Sequence, residues 1–360
     1  MRPAGAILRT IRRLWSGLQV TDRFVRIHFL FFSSLLPLLG ASTVRRDLDG
    51  GQIAALLGVG LCFHIYSYVL NDVTDLPVDR TQPSRQRDPL VRGAVQPWQA
   101  LLVALVQIPL TVPLTMWLGG GGAAYAALAV GFALMAVYNV WGKSCPVPPL
   151  TDAAQGIAWG SLAIYAALAL GAEPTGLTWV VGAYGAGFIL QINGIHGGLR
   201  DLDNDLASGA RTTAIFLGAR PGPCGRLVVP VGVPVFAFSV FAGLVALVLL
   251  PLWRNDFAYD PDLRGIMLAV TGTLFLVNLF LLTTVVRPNL RLWNVTFRVS
   301  CFLVLVVLPV AFVPYVSPGT LLALILVMAL SLTPLEWTAW LRPKTPASER
   351  AESVRDPITI

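Results

Sequence analysis

Charge is what this chain lacks most. Only 12% of its 360 residues are Asp, Glu, Lys or Arg, where a soluble domain carries about 25%. That shortage excludes an ordinary water-exposed surface, and 55% hydrophobic residues leave a membrane composition. No polar stretch is long enough to bury a core of its own, which excludes a separate soluble domain. Cysteine is scarce as well. Cys62, Cys145, Cys224 and Cys301 stand apart without metal-ligand spacing, so neither a disulfide framework nor a thiolate metal site is expected. The 26 Lys and Arg form no compact patch with interleaved aromatics, so a net charge of +7 does not point to nucleic acid. The N-terminal "MRPAGAILRTIRRLWSG" lacks an apolar stretch followed by a small-residue cleavage site. Residues 1–20 therefore read as a cytosolic amphipathic lead-in lying on the membrane.

What is present is a series of apolar runs. A bilayer core about 30 Å thick needs roughly 20 apolar residues per helical span. Runs of that kind lie near 25–43, 52–71, 97–118, 121–140, 153–171, 177–197, 227–250, 264–286, 297–316 and 318–341. They make nine or ten spans, because only "VSPG" at 316–319 separates the last two. With ten, the N-terminal tail, the even-numbered loops and the C-terminal tail share one side, and those segments hold 22 of the 26 Lys and Arg. The positive-inside rule makes that side cytoplasmic, with both termini there. The expected fold is all-α, a polytopic membrane bundle of nine to ten helices. It forms one domain over 21–341, followed by a Pro- and charge-rich tail at 342–360 that reads as disordered.

Two acidic clusters interrupt this apolar chain. The first, "VLNDVTDLPVDR" (69–80), follows span 2 and carries Asn71, Asp72, Asp75 and Asp79. Residues three, four or seven apart share a helical face, so the three aspartates project together. Pro77 costs the helix a bond to Val73, so the helix is expected to kink or end there, with Asp79 less well aligned than Asp72 and Asp75. The second, "GGLRDLDNDLASGARTT" (197–213), follows span 6. Asp201 and Asp205 share a face there and Asp203 points away, while Gly197, Gly198 and Gly209 bracket the stretch as a helix end and a turn.

A carboxylate in the apolar core costs roughly 2.5–3.5 kcal/mol, so acids in such places usually serve function. Paired carboxylates with an Asn suit a hard cation with oxygen ligands. Mg²⁺ takes one or two carboxylates and completes its shell with water and substrate phosphate. Arg80, Arg85, Arg87 and Arg92 follow the first cluster, Arg200 and Arg211 flank the second, and Lys143 lies between. Acids alone would repel a diphosphate; acids with a metal ion and Arg clamps would bind one. The competing view is that these are solvated loop charges at helix ends. Two clusters on one membrane face, each with arginines beside it, weigh against that.

These residues resemble the UbiA superfamily of intramembrane prenyltransferases. The family's Asn-Asp-x-x-Asp-x-x-x-Asp motif is present at Asn71, Asp72, Asp75 and Asp79, and its Asp-x-x-x-Asp motif at Asp201 and Asp205. "RQRDPLVRGAV" (85–95), "YNVWGK" (138–143) and "GARTT" (209–213) are similar to segments that follow the first motif, the fourth helix and the second motif. The resemblance spans about residues 20–315. Pro77 inside the first motif, Asp88 between the expected Arg and Pro, and one helix beyond the usual nine depart from the pattern.

The resemblance implies a central cavity opening to the cytoplasmic face and an isoprenoid diphosphate bound through two Mg²⁺ ions. Asp72 and Asp75 would hold one ion and Asp201 and Asp205 the other, assisted by Asn71 and Asp79. Lys143, Arg87 and Arg211 would neutralise the leaving diphosphate. Phe63, Tyr66, Tyr68, Tyr138, Trp141, Trp159 and Tyr184 are candidates to face the allylic cation, although most membrane-protein aromatics only pack or anchor. His64 and His196 either orient an acceptor hydroxyl or bond a backbone carbonyl. In "QINGIH" (191–196), at least one of Gln191, Asn193 and His196 should face the cavity, because polar groups facing lipid are costly. The expected reaction is prenyl transfer to a small hydrophobic acceptor, aromatic or quinone-precursor. Two rivals use other logic: a UbiA-type terpene cyclase with no external acceptor, and a secondary transporter, whose site would sit near the bilayer midplane.

Overall fold

The computed structural model describes residues 21, 23–82, 85–222, 227–283 and 290–332. The N-terminal lead-in (1–20) and the C-terminal tail (342–360) lie outside the described residues.

Among the described residues, every predicted apolar run holds a helix of 13 residues or more. In chain order these are α1 (Leu30–Ser42), α2 (Gly50–Thr74), α4 (Pro97–Trp117), α5 (Gly122–Trp141), α6 (Pro148–Ala169), α7 (Gly176–Gln191), α11 (Gly232–Trp253), α12 (Pro261–Thr283), α13 (Leu290–Ala311) and α14 (Pro318–Leu332). Four short helices carry or flank the acidic motifs: α3 (Leu76–Asp79), α8 (Gly198–Arg200), α9 (Leu202–Ala207) and α10 (Thr213–Phe216). A two-residue antiparallel pair, β1 (Arg220–Pro221) with β2 (Leu227–Val228), is the only sheet among the described residues. Five helices (α2, α4, α5, α11 and Pro261–Phe280 of α12) are long and apolar enough to cross a membrane by length and composition. The protein is thus an integral membrane helical bundle.

Local sequence sets the helix ends. Asp49 caps α2, its Oδ1 accepting from the Gln52 N–H at 2.8 Å while Gln52 Oε1 accepts from the Asp49 N–H at 3.2 Å. "VSPG" does separate two helices: α13 ends at Ala311, a 3₁₀ turn spans Val313–Tyr315, and Pro318 starts α14. That last helix lies against α1, where the Phe31 N–H donates to Ser331 Oγ at 3.0 Å.

α1 is the most enclosed helix, with every residue from Phe31 to Ser42 buried between α2, α6, α7 and α14. Small residues permit this closeness. A Cβ at Gly40 would stand 2.4 Å from the Ala163 carbonyl oxygen, and one at Gly160 would stand 2.4 Å from that of Gly182. α6 lies between α5 and α7. The loops after α2, α5 and the π-turn following α7 bring their polar residues to one end of this bundle.

Candidate active site

The first motif sits where α2 gives way to α3. The Asp75 N–H still donates to the Asn71 carbonyl at 2.8 Å. Pro77, at the start of α3, has no N–H to offer Val73, so α2 stops at Thr74. The chain keeps its helical sense, with the Asp79 N–H donating to the Asp75 carbonyl at 2.8 Å. Asp72 and Asp79 therefore stay on one side and share Arg85, whose Nη1 is 3.9 Å from Asp72 and whose Nε is 3.7 Å from Asp79. Asp75 turns elsewhere: Lys143 Nζ lies 3.1 Å from its Oδ2, and Asn71 Nδ2 donates to the same oxygen at 3.1 Å. The sequence reading sets all three on one face with Asp79 the less well aligned, whereas here Asp79 is the one that stays beside Asp72. Helical drift explains the difference, because a heptad is off by only about 20° whereas three residues leave about 60°.

The second motif follows a widened turn. After α7 the backbone forms a π-helical turn over Ile192–Gly197 and runs directly into α8. Gly197 and Gly198 therefore do not end the helix as expected. Gly198 instead admits α10, since a Cβ there would meet that of Ala214 at 3.0 Å. Gly209 does make its turn, at φ +74, a conformation that favours glycine. Asp201 stands between α8 and α9 and takes two hydrogen bonds from Arg200, from Nε at 3.0 Å and Nη2 at 2.6 Å. Asp205 is buried, and Asp203 is exposed as the spacing predicts.

The two motifs form one cluster. Lys143, in the loop between α5 and α6, stands 3.1 Å from Asp75 Oδ2 and 3.8 Å from Asp205 Oδ1. Its carbonyl accepts from the Arg211 N–H at 2.7 Å, which fastens that loop to the segment after α9. Beside it Gln82 Nε2 donates to Asp201 Oδ1 at 2.9 Å, and Thr81 Oγ1 donates to Asn204 Oδ1 at 3.1 Å.

Burial and neighbouring charge set the titration of this cluster. Burial pushes the Asp79 carboxyl up to about 6, against the pull of Arg85. Burial likewise raises Asp205 to about 6, against the pull of Lys143. Burial would raise Asp201 too, but the Arg200 hydrogen bonds and charge outweigh it and hold that carboxyl below its ordinary value. Burial works against charged Lys143, yet Asp75 and Asp205 hold its ammonium above the ordinary range.

The other predicted residues fall into three settings. Arg87 and Arg211 are exposed, and only the Arg211 backbone N–H is seen to join the cluster, through the Lys143 carbonyl. Tyr138 and Asn193 are half-buried, and Asn193 hydrogen-bonds Gln155. His196 is buried nearby in the sequence, on the π-turn. His64 is buried with both ring nitrogens engaged, Nδ1 2.7 Å from Ser33 Oγ and Nε2 2.7 Å from the Val25 carbonyl. Among the aromatics, Phe63 meets Trp159 edge-on with centroids 5.0 Å apart, and Tyr68 lies 6.1 Å from Trp159. Trp141 is exposed, as suits an interface anchor.

Several participants escape the sequence reading. Arg26, from the segment before α1, pairs with Asp72. Arg23 lies 3.9 Å from Asp88, and Arg85 Nη1 lies 3.1 Å from the same residue, so the extra aspartate belongs to the charge network. Buried Asp152 accepts from Thr213 Oγ1 at 2.5 Å. No motif marks Arg23, Arg26 or Asp152; only their charge in an apolar chain could have drawn notice.

Among the described residues no three His, Cys, Asp or Glu side chains cage an ion unaided. The acids are held by arginine and lysine instead. Their donors are all oxygen and are split between two sides of one cluster, which fits a hard divalent ion that completes its shell with water and phosphate.

Residues 30–259 match the model of the UbiA prenyltransferase family. The chain is 30% identical over 152 residues to digeranylgeranylglyceryl phosphate synthase of Pyrococcus abyssi, a match covering 42% of this chain and 51% of that enzyme. It is 26% identical over 227 residues to 4-hydroxybenzoate octaprenyltransferase of Pseudomonas syringae pv. syringae, covering 59% and 71%. Its fold is similar to the apo structure of a UbiA homolog from Aeropyrum pernix K1, with TM-score 0.63 and 18% identity over 80% of this chain and 98% of that one. It is similar too to a UbiA homolog from Archaeoglobus fulgidus bound to GPP and Mg²⁺, with TM-score 0.56 and 16% identity over 81% and 99%. At these identities the structural likeness speaks for the fold alone.

Proposed function

The chain belongs to the UbiA prenyltransferase family, and from that premise we propose that it ionises an isoprenoid diphosphate and transfers the prenyl group to a small hydrophobic acceptor, aromatic or quinone-precursor. The observation that carries this reading is Lys143, one ammonium 3.1 Å from Asp75 and 3.8 Å from Asp205, each from a different motif. It supports a single polar site into which both motifs feed.

The expected donors to Mg²⁺, proposed as two ions, are Asp72 and Asp75 for one and Asp201 and Asp205 for the other, with Asn71 and Asp79 in support. When bound, the metal supplies neutralisation of the departing diphosphate charge. Lys143 and Arg85 trade carboxylate for phosphate oxygens as substrate enters, and Arg200, Arg87 and Arg211 hold the outer phosphate from the rim. The allylic C–O bond breaks with its electron pair leaving on the diphosphate oxygen. The acceptor then bonds to the allylic carbon and loses a proton. Phe63, Tyr68 and Trp159 offer ring faces to that cation, each worth about 0.5–2 kcal/mol.

His64, with both nitrogens engaged, is assigned to structure. Tyr138, Asn193 and His196 are the candidates for acceptor contact, with Gln155 behind Asn193. These polar groups among apolar helices favour transfer over cyclisation, which needs only a closed apolar contour. The relatives act, by their names, on glyceryl phosphate and hydroxybenzoate acceptors. The prenyl tail is proposed to lie in a cavity among the nine to ten transmembrane helices. The site and both chain ends are proposed to face the cytoplasm.

Purified protein given geranylgeranyl or farnesyl diphosphate tests the reading. With Mg²⁺ and a hydroxybenzoate or glyceryl phosphate acceptor, a prenylated acceptor and released diphosphate are expected. A cyclised hydrocarbon or alcohol formed without acceptor would replace transfer with cyclisation, and no diphosphate release under any condition would overturn both.

A further inference from the structure

The segment before α1 is strapped across the first motif. Arg26 pairs with Asp72 and lies over the Tyr68 ring, 5.2 Å from its centroid. Phe29 stacks on that same ring at 5.6 Å. Arg23 reaches Asp88 at 3.9 Å. Phe24, with Asp72, Asp79 and Asp88, closes a cavity of about 10 Å³, room for one water. The contact residues His64, Tyr68 and Asp72 are successive fours on α2, so they form one ladder facing the strap.

The lowest rung fixes the geometry of the others. The Val25 carbonyl has no hydrogen to give, so His64 Nε2 must be the donor in its 2.7 Å bond. Nδ1 is then the acceptor for the Ser33 hydroxyl at 2.7 Å. The next residue, Arg26, has φ 51 and ψ 52, a left-handed conformation that a residue with a side chain holds only when its surroundings impose it. The bond to Val25 holds the residue next to it, and the Arg26 guanidinium pairs with Asp72. Arg26 and Arg85 both address Asp72 Oδ1, the latter at 3.9 Å. A metal–oxygen bond of about 2.1 Å leaves no room for Arg26 in the same direction.

We propose that Arg26 is a counter-ion latch on Asp72 that a divalent cation must displace, and that His64 is the positioning residue that seats it through the Val25 carbonyl. The latch keeps a buried carboxylate neutralised while no metal is bound, and it opposes metal binding in the absence of diphosphate. This rests on the assignment of Asp72 as a metal donor.

The test is a Mn²⁺ titration of the purified full chain in detergent, without diphosphate, read by the loss of free-ion EPR signal. Arg26→Gln should bind Mn²⁺ roughly tenfold more tightly than the wild type, since a competing cation is gone. His64→Ala should shift affinity in the same direction by about threefold, and His64→Gln, which keeps an N–H donor and an oxygen, should restore the wild-type value. Ser33→Ala, which leaves every charge in place, should give a smaller tightening through His64, and Arg26→Met, neutral and of similar length, serves if R26Q does not survive purification. Unchanged or weaker Mn²⁺ binding in R26Q or, in its stead, R26M overturns the latch. A tighter R26Q with an unchanged H64A overturns the role of His64. Mn²⁺ binding by R26Q that a further Asp72→Asn leaves unchanged, with prenyl transfer by the wild type intact, removes Asp72 as a metal donor and the latch with it.

Discussion

The two acidic motifs look alike in sequence and are held in different ways. In the first, Asp72 and Asp79 are buried at 6% and 4% exposure and are balanced by Arg26, 46 residues away, and Arg85, while Asp205 of the second is as deeply buried, at 3%, and faces Lys143. Asp201 of the second differs, neutralised by its chain neighbour, since Arg200 forks onto it and stays 47% exposed. A buried carboxylate needs a partner brought by the fold, because its desolvation is not repaid by solvent or by a mobile neighbour. One at a helix junction near water manages with a local pair worth at most about 1 kcal/mol. Lys143 joins the two regimes.

Substitutions should expose that difference. Asp72→Asn is expected to have the largest effect, a fall of about 10³-fold in kcat, because it removes a proposed metal donor and leaves the Arg26 guanidinium in a buried site without its carboxylate. Steady-state release of diphosphate measures it, and a loss under tenfold would equalise the two motifs. Lys143→Ala follows, with a drop of roughly 10²-fold in kcat/KM, since one ammonium serves both motifs. Its KM for the prenyl diphosphate should rise, whereas an unchanged KM would mean that Lys143 only holds loops together.

Arg85→Ala and Arg87→Ala sharpen the comparison at close range. Arg85 contacts Asp72, Asp79 and Asp88, so its loss should cost about tenfold or more in kcat/KM. Arg87 is exposed, and its loss should stay within about threefold. The reverse order would return the clamp to the residue that family resemblance nominates.

Acidification should give the smallest signal, and its sign separates the motifs further. Asp79 and Asp205, raised by burial from 3.8 to about 6, bind protons in the folded protein before an unfolded carboxylate does. Without divalent cation their contribution to stability therefore grows as pH falls from about 7 toward 4, and it shrinks as pH rises through 6. Asp201, held low, contributes above the ordinary carboxylate value and loses that contribution only in stronger acid. Thermal unfolding in detergent should show a modest gain from pH 7 to 5 that Asp205→Asn reduces. A steady loss over that window would contradict the raised values.

Sequence conveys much of this architecture, but unevenly. The apolar runs locate the helices because burial in lipid needs length and composition, and both are local properties. Pro77 and Gly209 announce a helix end and a turn, since each acts through its own backbone. Gly197 and Gly198 mislead, because a π-turn that lets α10 approach is set by tertiary contact rather than by glycine itself. The aspartates are visible as motifs. Which cation faces which acid is not: Arg26 lies 46 residues from Asp72, and Arg85 and Arg87 differ only in the direction in which the loop presents them. His64 illustrates the same limit, since spacing places it one turn below the motif but only the Val25 carbonyl shows what it holds.

Convergence of the motifs can be tested at their outer edge, where Thr81 Oγ1 donates to Asn204 Oδ1 at 3.1 Å. With the native cysteines replaced, a Thr81→Cys, Asn204→Cys protein in native membranes is treated with a short bifunctional maleimide and then cleaved between the two positions. The halves are expected to stay covalently joined, with bound prenyl diphosphate and Mg²⁺ altering the rate of joining. Halves that separate freely while each cysteine labels readily on its own would mean the motifs stand apart, contradicting a shared site.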